Sequence, residues 1–314
     1  MINSNDTLLL NNIIPFSQGT FTLGGSNPTF ASFRHADSIL SRSGINNPVT
    51  INIRNGKYTE QPVLKNVRGT SAVNVITYRG EANNANSDTL SFNATLPAAV
   101  YTIKLDSALY MQFKNITFQS LGTNYFREVE MVNKTAFITF DSCVFTATNG
   151  NSNNSLYHIE SNGTSADTSF TITNTIFKNG GGGIKARLAS SLIKNNKFIG
   201  LNGGSGLFII DAINGLGDAS RLTIDNNIST SVQTCGFLYF GVCYSFATST
   251  IGGINIGGFT SLPLQNLVIS NNSLYLGNGR GINVQMQSSE GSPTRIFNNM
   301  VAYTSQGSAA LRID

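Results

Sequence analysis

The chain contains no tryptophan and few charged residues. Asp and Glu number 16 and Lys and Arg 20 in 314 residues, so charges make up 11% of the chain, well under the roughly one quarter usual in globular domains. No run of eighteen apolar residues occurs, which excludes a transmembrane helix. No Lys/Arg cluster occurs either, and the net charge of +4 comes from scarce acids, so nothing supports nucleic-acid binding. The three cysteines, Cys143, Cys235 and Cys243, have neither metal-ligand spacing nor the density of a disulfide scaffold. Only two of them could pair, leaving the redox state of Cys235 and Cys243 open, and as single residues they read as small core side chains. Met1 is not followed by a charged segment and an apolar one, so no secretion signal stands in this sequence. With 40% hydrophobic residues the chain is folded rather than disordered. Its 31 glycines, and asparagine at roughly one position in eight, argue against long helices. A Ser/Thr/Asn/Gly-rich, Lys/Glu-poor chain of this kind is expected to be secreted or at the cell surface.

The most informative feature is a repeat of the form apolar-x-Asn-Asn-x-apolar. It is sharpest at Ile193 to Phe198, Ile224 to Ser229, Ile269 to Leu274 and Ile296 to Val301, with degenerate copies at Phe113 to Phe118, Phe140 to Phe145 and Ile172 to Phe177. The first-Asn positions are Asn115, Ser142, Asn174, Asn195, Asn226, Asn271 and Asn298, at spacings of 27, 32, 21, 31, 45 and 27 residues. Such spacings fit the coils of a parallel β-solenoid. About ten residues after each Asn a small residue opens an alternating strand, at Gly183, Gly206, Gly236, Gly281 and Ala310. Two phased strands per period mean stacked coils. Asn115, Asn174, Asn195, Asn226, Asn271 and Asn298 are predicted to form a ladder at the corner, because Asn tolerates the left-handed conformation and its amide can bond to the next coil. The overlong gap predicts an insertion at about 244–262.

Residues 1–18 read as an extension and 19–314 as one domain. Asn27-Pro28 is a helix start, Phe30, Phe33, Ala36 and Leu40 recur at helical spacing, and Gly44 is a natural stop, predicting an amphipathic helix over about 28–43. At the start of a solenoid such a helix would cover the exposed end of the stack. The other end stops at Leu311-Arg312-Ile313-Asp314 in what reads as mid-coil, which predicts that the chain continues or meets a partner there.

The strand-turn-strand Ile53 to Glu60 (I-x-x-G-x-Y-x-E), with Leu109 to Phe118 and Ala136 to Phe145, resembles pectin methylesterases, within the pectin-lyase-like superfamily of right-handed parallel β-helices. The resemblance implies an all-β, single-stranded right-handed parallel β-helix, here with an N-terminal amphipathic helix cap. It also implies where an esterase would keep its catalytic residues. The family's Gln-Asp-Thr-Leu-Tyr segment aligns with Asn153-Asn154-Ser155-Leu156-Tyr157, and its nucleophilic Asp falls near Gly182 or Gly183. Asn154 cannot exchange a proton at any useful pH, so the esterase mechanism is not retained. The hydrolase motifs of the fold, and a paired-carboxylate glycosidase site, are absent from the sequence as well.

Stacking the second strands places His158, Lys185, Phe208, Leu238, Asn283 and Arg312 in one outward row and Glu160, Arg187, Ile210, Phe240, Gln285 and Asp314 in the next. His158, Glu160, Lys185 and Arg187 would then form a charged patch, either a ladder of ion pairs or the site of a polysaccharide lyase with Lys185 or Arg187 as base. A lyase would need calcium, for which Glu128, Glu130 and Asp211 are the nearest acids. No other cofactor or metal is expected. Phe208, Leu238 and Phe240, with Lys185 and Arg187, are the expected ligand-binding residues, unless the insertion covers the apolar ones. His35, on the helix, reads as structural. The expected function is a non-catalytic, adhesin-like module of a larger exoprotein, binding polysaccharide or a neighbouring domain. The alternatives are a lyase acting on an acidic glycan and a rigid spacer in a surface stalk or filament.

Overall fold

The computed structural model describes residues 17–122, 127–148, 157–161, 168–201, 208–212, 221–230, 237–239, 242–244, 252–257, 266–276, 280–285, 293–303 and 309–313. Three parallel sheets of 10, 9 and 9 strands wrap the chain into a solenoid, and the only α-helix among the described residues is Phe33–Ser43. Successive strands visit sheet A (for example Leu109–Lys114), sheet B (Thr117–Ser120) and sheet C (Val129–Val132) before returning one coil further on.

The interior is three in-register columns. Sheet A contributes Tyr78, Phe113, Phe140, Ile172, Ile193, Ile224 and Ile269, and sheet C contributes Ile103, Val129, Ile159, Ile184, Ile210, Ile254 and Ile282, all buried. Sheet B carries Phe118, Phe145, Phe177 and Phe198, whose rings stack at 5.1, 5.0 and 4.7 Å. A second stack runs Phe33, Tyr78, Phe113, Phe140 at 5.7, 5.4 and 5.1 Å. A strand rise per coil of about 4.8 Å brings identical rings to stacking distance, so like residues column on like.

The helix begins later than the expected 28. Asn27 lies in a turn with φ 48, and Phe30 N–H donates to Thr22 O while Gly24 N–H donates to Phe30 O, tying that segment back to strand Ser17–Leu23. Ser32 is the N-cap and accepts from His35 N–H, and Nδ1 of His35 accepts from Ala31 N–H, so His35 is structural. Glu60 completes the cap by accepting from Phe33 N–H at 2.8 Å and Arg34 N–H at 3.1 Å. The Glu of the I-x-x-G-x-Y-x-E motif thus places an anion at the helix N-terminus. Gly44 ends the helix at φ 69.

The overlong gap holds an extra element, but not over the expected 244–262, part of which belongs to the solenoid. Gly252–Ile256 is a regular strand of sheet C, between Phe208–Ala212 and Arg280–Val284. The strand read at Gly236 to Tyr239 is not in the solenoid: Phe237–Tyr239 pairs antiparallel with Val242–Tyr244 as a hairpin. An alternating apolar run cannot distinguish a coil strand from a hairpin strand, because both have period two.

The predicted asparagine ladder is present in part, and a second, buried one stands one residue further along each coil. Asn115, Asn174, Asn195, Asn226, Asn271 and Asn298 hold φ between 53 and 59 and make the corner turn. Their amides form the predicted ladder over three coils, Asn226 donating to Asn195 at 2.8 Å and Asn195 to Asn174 at 3.4 Å, while Asn174 and Asn271 donate instead to Asp141 and Asp225. The continuous ladder is built by the second residue of each pair, Asn196, Asn227, Asn272 and Asn299. In each of the first three steps, Oδ1 of the next Asn accepts both the backbone N–H and the Nδ2–H of the one before, at 2.9–3.1 Å. The other Nδ2–H donates to a carbonyl of the preceding coil, Ile172, Ile193, Ile224 and Ile269 in turn.

Replacing Asn227 by Leu therefore removes four hydrogen bonds in a dry corner and is expected to cost about 3 kcal/mol or more. Asn226→Gly keeps the left-handed backbone and is expected to change stability by less than about 1 kcal/mol. Urea unfolding followed by circular dichroism checks both; equal midpoint shifts would contradict the assignment.

Candidate functional site

The inward column of sheet C sets which residues face out. Row by row these are Lys104, Glu130, Glu160, Lys185, Asn255, Asn283 and Arg312, with Glu128 and His158 in the neighbouring row. This corrects the expected register. Lys185 lies opposite Glu160 rather than His158, and Ile210 is fully buried in the core rather than outward. Leu238 belongs to the hairpin, so it does not continue the row of Phe208, and Phe240, Asp314 and Cys235 fall outside the described residues.

The outer face is an alternating ion-pair network. Lys104 Nζ lies 2.8 Å from Glu130 Oε2, and Arg127 Nη1 lies 2.7 Å from Glu130 Oε1. Arg127 Nε and Nη2 both donate to Glu160 Oε2, at 3.0 and 2.5 Å, and Lys185 Nζ lies 3.7 Å from Glu160 Oε1. The side chains of Arg127, Glu130 and Glu160 are 8–10% exposed, whereas Lys185 keeps 33% and sits 5.5 Å over the Tyr157 ring. Arg187 is half-buried just beyond strand Gly182–Ala186.

His158 and Glu128 form a separate, fully buried pair, Nδ1 to Oε2 at 2.7 Å, and His158 Nε2 lies 2.7 Å from the Asn179 carbonyl. A carbonyl only accepts, so Nε2 carries its hydrogen, and one further proton is shared between Nδ1 and Glu128. Both ring nitrogens are thereby occupied and shielded from solvent, which leaves His158 unable to serve as a base toward a bound sugar. Of the predicted patch, the structure joins Glu160 to Lys185 and sets His158 apart with Glu128.

Arg127, the hub of the network, was not among the residues singled out from sequence. It precedes the first strand residue and so stands outside the alternating pattern; its only signal is its spacing of three from Glu130. Glu128 and Glu130 are committed to His158, Lys104 and Arg127 rather than grouped around a vacant centre, and no three acid, His or Cys groups among the described residues could hold a metal ion. Glu128 and Glu130 are therefore not free to hold that ion, and the side chain of Asp211 lies outside the described residues. Gly182 lies opposite Tyr157, and the same register puts Gly183 opposite His158, so no carboxylate occupies the esterase nucleophile position. Asn153 and Asn154 lie outside the described residues. Cys143 is buried, and burial pushes its thiol up to about 12, which makes it inert.

A carboxyl with a raised pKa lies elsewhere, at the start of strand Asp88–Phe92 of sheet B. Asp88 is fully buried and neither oxygen has a hydrogen-bond partner. Burial, and secondarily the charge of Glu81, push it up to about 6. Gly80 makes room for it, since a Cβ there would lie 2.5 Å from Asp88 Oδ2 and 2.3 Å from the Asn115 carbonyl.

Among solved structures the chain is similar to a pectin methylesterase of Aspergillus niger, 16% identical with a TM-score of 0.58, over 94% of this chain and 93% of that one. A rice weevil pectin methylesterase is 11% identical with a TM-score of 0.54, over 93% and 92%. The pectin methylesterase PemA of Erwinia chrysanthemi is 12% identical with a TM-score of 0.51, over 95% and 93%. At these identities the likeness shows the fold alone, a right-handed parallel β-helix. No protein-family model matches the chain, and no curated protein matches it.

Two outcomes follow. Arg127→Ala strips two nearly buried carboxylates of their shared cation and is expected to destabilise by about 3–5 kcal/mol, read as a lowered urea midpoint; a change within error would mean the network is solvent-screened. For Asp88 the folded value is raised, so stability is full below about 4 and falls as pH rises toward 6, when the buried acid must ionise. Asp88→Asn is expected to stabilise by up to about 3 kcal/mol at pH 7 and by nearly nothing at pH 4. Melting curves at both pH values check this, and a pH-independent difference would refute it.

Proposed function

We propose that this chain is a non-catalytic, secreted or cell-surface β-helix module that binds polysaccharide, with the helix Phe33–Ser43 closing the first coil. The observation carrying this reading is the saturation of the outer face of sheet C. Glu130 and Glu160 are each held by two cations and Glu128 by His158, so none of them stands open to a substrate as base, nucleophile or calcium ligand. What remains accessible there is the cationic edge at Lys185, with Arg187 beside it, suited to a glycan carboxylate.

A lyase acting on an acidic glycan would use the same edge, with Lys185 or Arg187 as base. The test is incubation of the purified protein, with and without calcium, on acidic and neutral polysaccharides, following new chain ends and retention of the protein by the polymer. Retention of the acidic polymers without new ends, weakened severalfold by Lys185→Ala, is the expected result. New ends abolished by Lys185→Ala would establish the lyase, and neither signal would favour a rigid spacer.

A further inference from the structure

At the entry to sheet A, consecutive coils hold one residue each in the left-handed backbone region: Tyr110, Phe137, Ser169, Ser190, Arg221 and Asn266, with φ from 49 to 66. The pairs on either side of them are in register, so these residues form a single column along the solenoid. The turn into the sheet imposes this conformation, which Asn meets at little cost and a bulky aromatic meets at the highest. Tyr110 and Phe137 nevertheless occupy two adjacent coils. Their rings stack at 4.4 Å with planes 1° apart, and Phe137 is 44% exposed. Strained, solvent-facing aromatics at positions that Ser fills in the next two coils gain only their mutual stacking in return.

The remainder of the column completes a recognisable site. Past Phe137 come the short side chains of Ser169 and Ser190, which put no aromatic against the second face of the Phe137 ring. Arg221 stands three coils on, at about 14 Å, given the spacing of parallel strands. Arg221 is exposed and has no ion pair or hydrogen bond among the described residues, and Lys134, in the turn before Ala136, is exposed and equally free. Among the described residues, Asp106 and Asp141 are engaged elsewhere: Asp106 accepts from Asn133 and Ser107, and Asp141 from Thr173 and Asn174. An aromatic face, two hydroxyls and unneutralised cations in a line call for an extended ligand with apolar ring faces and negative charge.

We propose that Phe137, Ser169, Ser190 and Arg221 form a subsite for an acidic oligosaccharide, with a sugar ring stacked on Phe137 and a carboxylate held by Arg221. This rests on the polysaccharide-binding reading but places the contact on sheet A, apart from the Lys185 edge of sheet C.

The test is titration calorimetry of the whole chain with oligogalacturonates of three to six residues and with neutral cello-oligosaccharides. The variants are Phe137→Asn, which suits the left-handed backbone and so preserves the fold, and Arg221→Gln. Phe137→Asn is expected to weaken acidic oligosaccharides by about tenfold while leaving the melting temperature unchanged or higher. Arg221→Gln is expected to weaken them severalfold and to reduce the salt dependence of binding. Wild-type binding unaffected by Phe137→Asn would overturn the subsite and leave the polysaccharide reading standing. Equal binding of neutral oligosaccharides, indifferent to Arg221→Gln, would overturn the acidic assignment. No binding of any saccharide by the wild type would overturn both the subsite and the function it rests on.

Discussion

At the corner between sheets A and B each coil turns a backbone N–H into a dry interior where its own coil offers no acceptor. Such a group costs about 1–3 kcal/mol if left unmade. The partner comes from the side chain of the following coil: Cys143 N–H donates to Thr175 Oγ1, Thr175 N–H to Asn196 Oδ1, and the Asn ladder carries the arrangement on to Asn299. The corner is thus an obligation passed from coil to coil. It ties the stacking of coils to the identity of one residue per turn, and it explains why a chain so poor in charge is so rich in asparagine. Asn alone among the side chains used there both accepts twice and donates twice, to the coil after and the coil before.

The aromatic stacks and the amide ladder divide the solenoid between them. The ring column of sheet B runs from Phe118 to Phe198, and the next coil carries Ser229 in register with Phe198. The amide ladder begins at Asn196, in the coil of the last stacked ring. Where the interior is filled by large rings, a thiol or a hydroxyl suffices at the corner; where it is filled by isoleucine and leucine, the amides supply the specific coil-to-coil register. Apolar columns alone tolerate slippage, because every coil presents nearly the same face to its neighbour. A hydrogen-bonded amide column does not.

This division also accounts for what could be read before the structure. The Asn-Asn repeat identifies the solenoid because the corner obligation is local and periodic. Which Asn of the pair faces inward is not visible in the spelling: both tolerate the turn, and only the three-dimensional parity assigns φ near 55 to Asn226 and burial to Asn227. Strand order failed where a hairpin, Phe237–Tyr239 with Val242–Tyr244, imitates a coil strand, and the true strand, Gly252–Ile256, hides among glycines. The outward rows were offset for the same reason, since a shift of one residue moves a side chain to the other face, as Ile210 shows. Glu160 and Lys185 could be found from sequence because both sit inside alternating strands. Arg127 and the Tyr110/Phe137 stack could not, because each departs from the alternation: the first lies ahead of its strand, and the others hold a left-handed backbone that no propensity assigns to an aromatic.

Departures of that kind separate the two faces of the molecule. On sheet C the departures from an apolar, evenly patterned surface are compensated in place, with Arg127 between two carboxylates and His158 against Glu128. A face whose charges are so committed is built to hold its shape, since removing any one of them exposes another to a dry environment. On sheet A the departure gains only the mutual stacking of the two rings: Tyr110 and Phe137 take a left-handed backbone at the solvent face, in one column with the guanidinium of Arg221 three coils on. In a fold whose coils repeat one structural solution, a departure at a strained backbone position is where a role other than stability is to be sought. By that criterion the proposed sugar contact belongs to the left-handed column, while the committed charges of sheet C hold their face in shape around the accessible Lys185 edge.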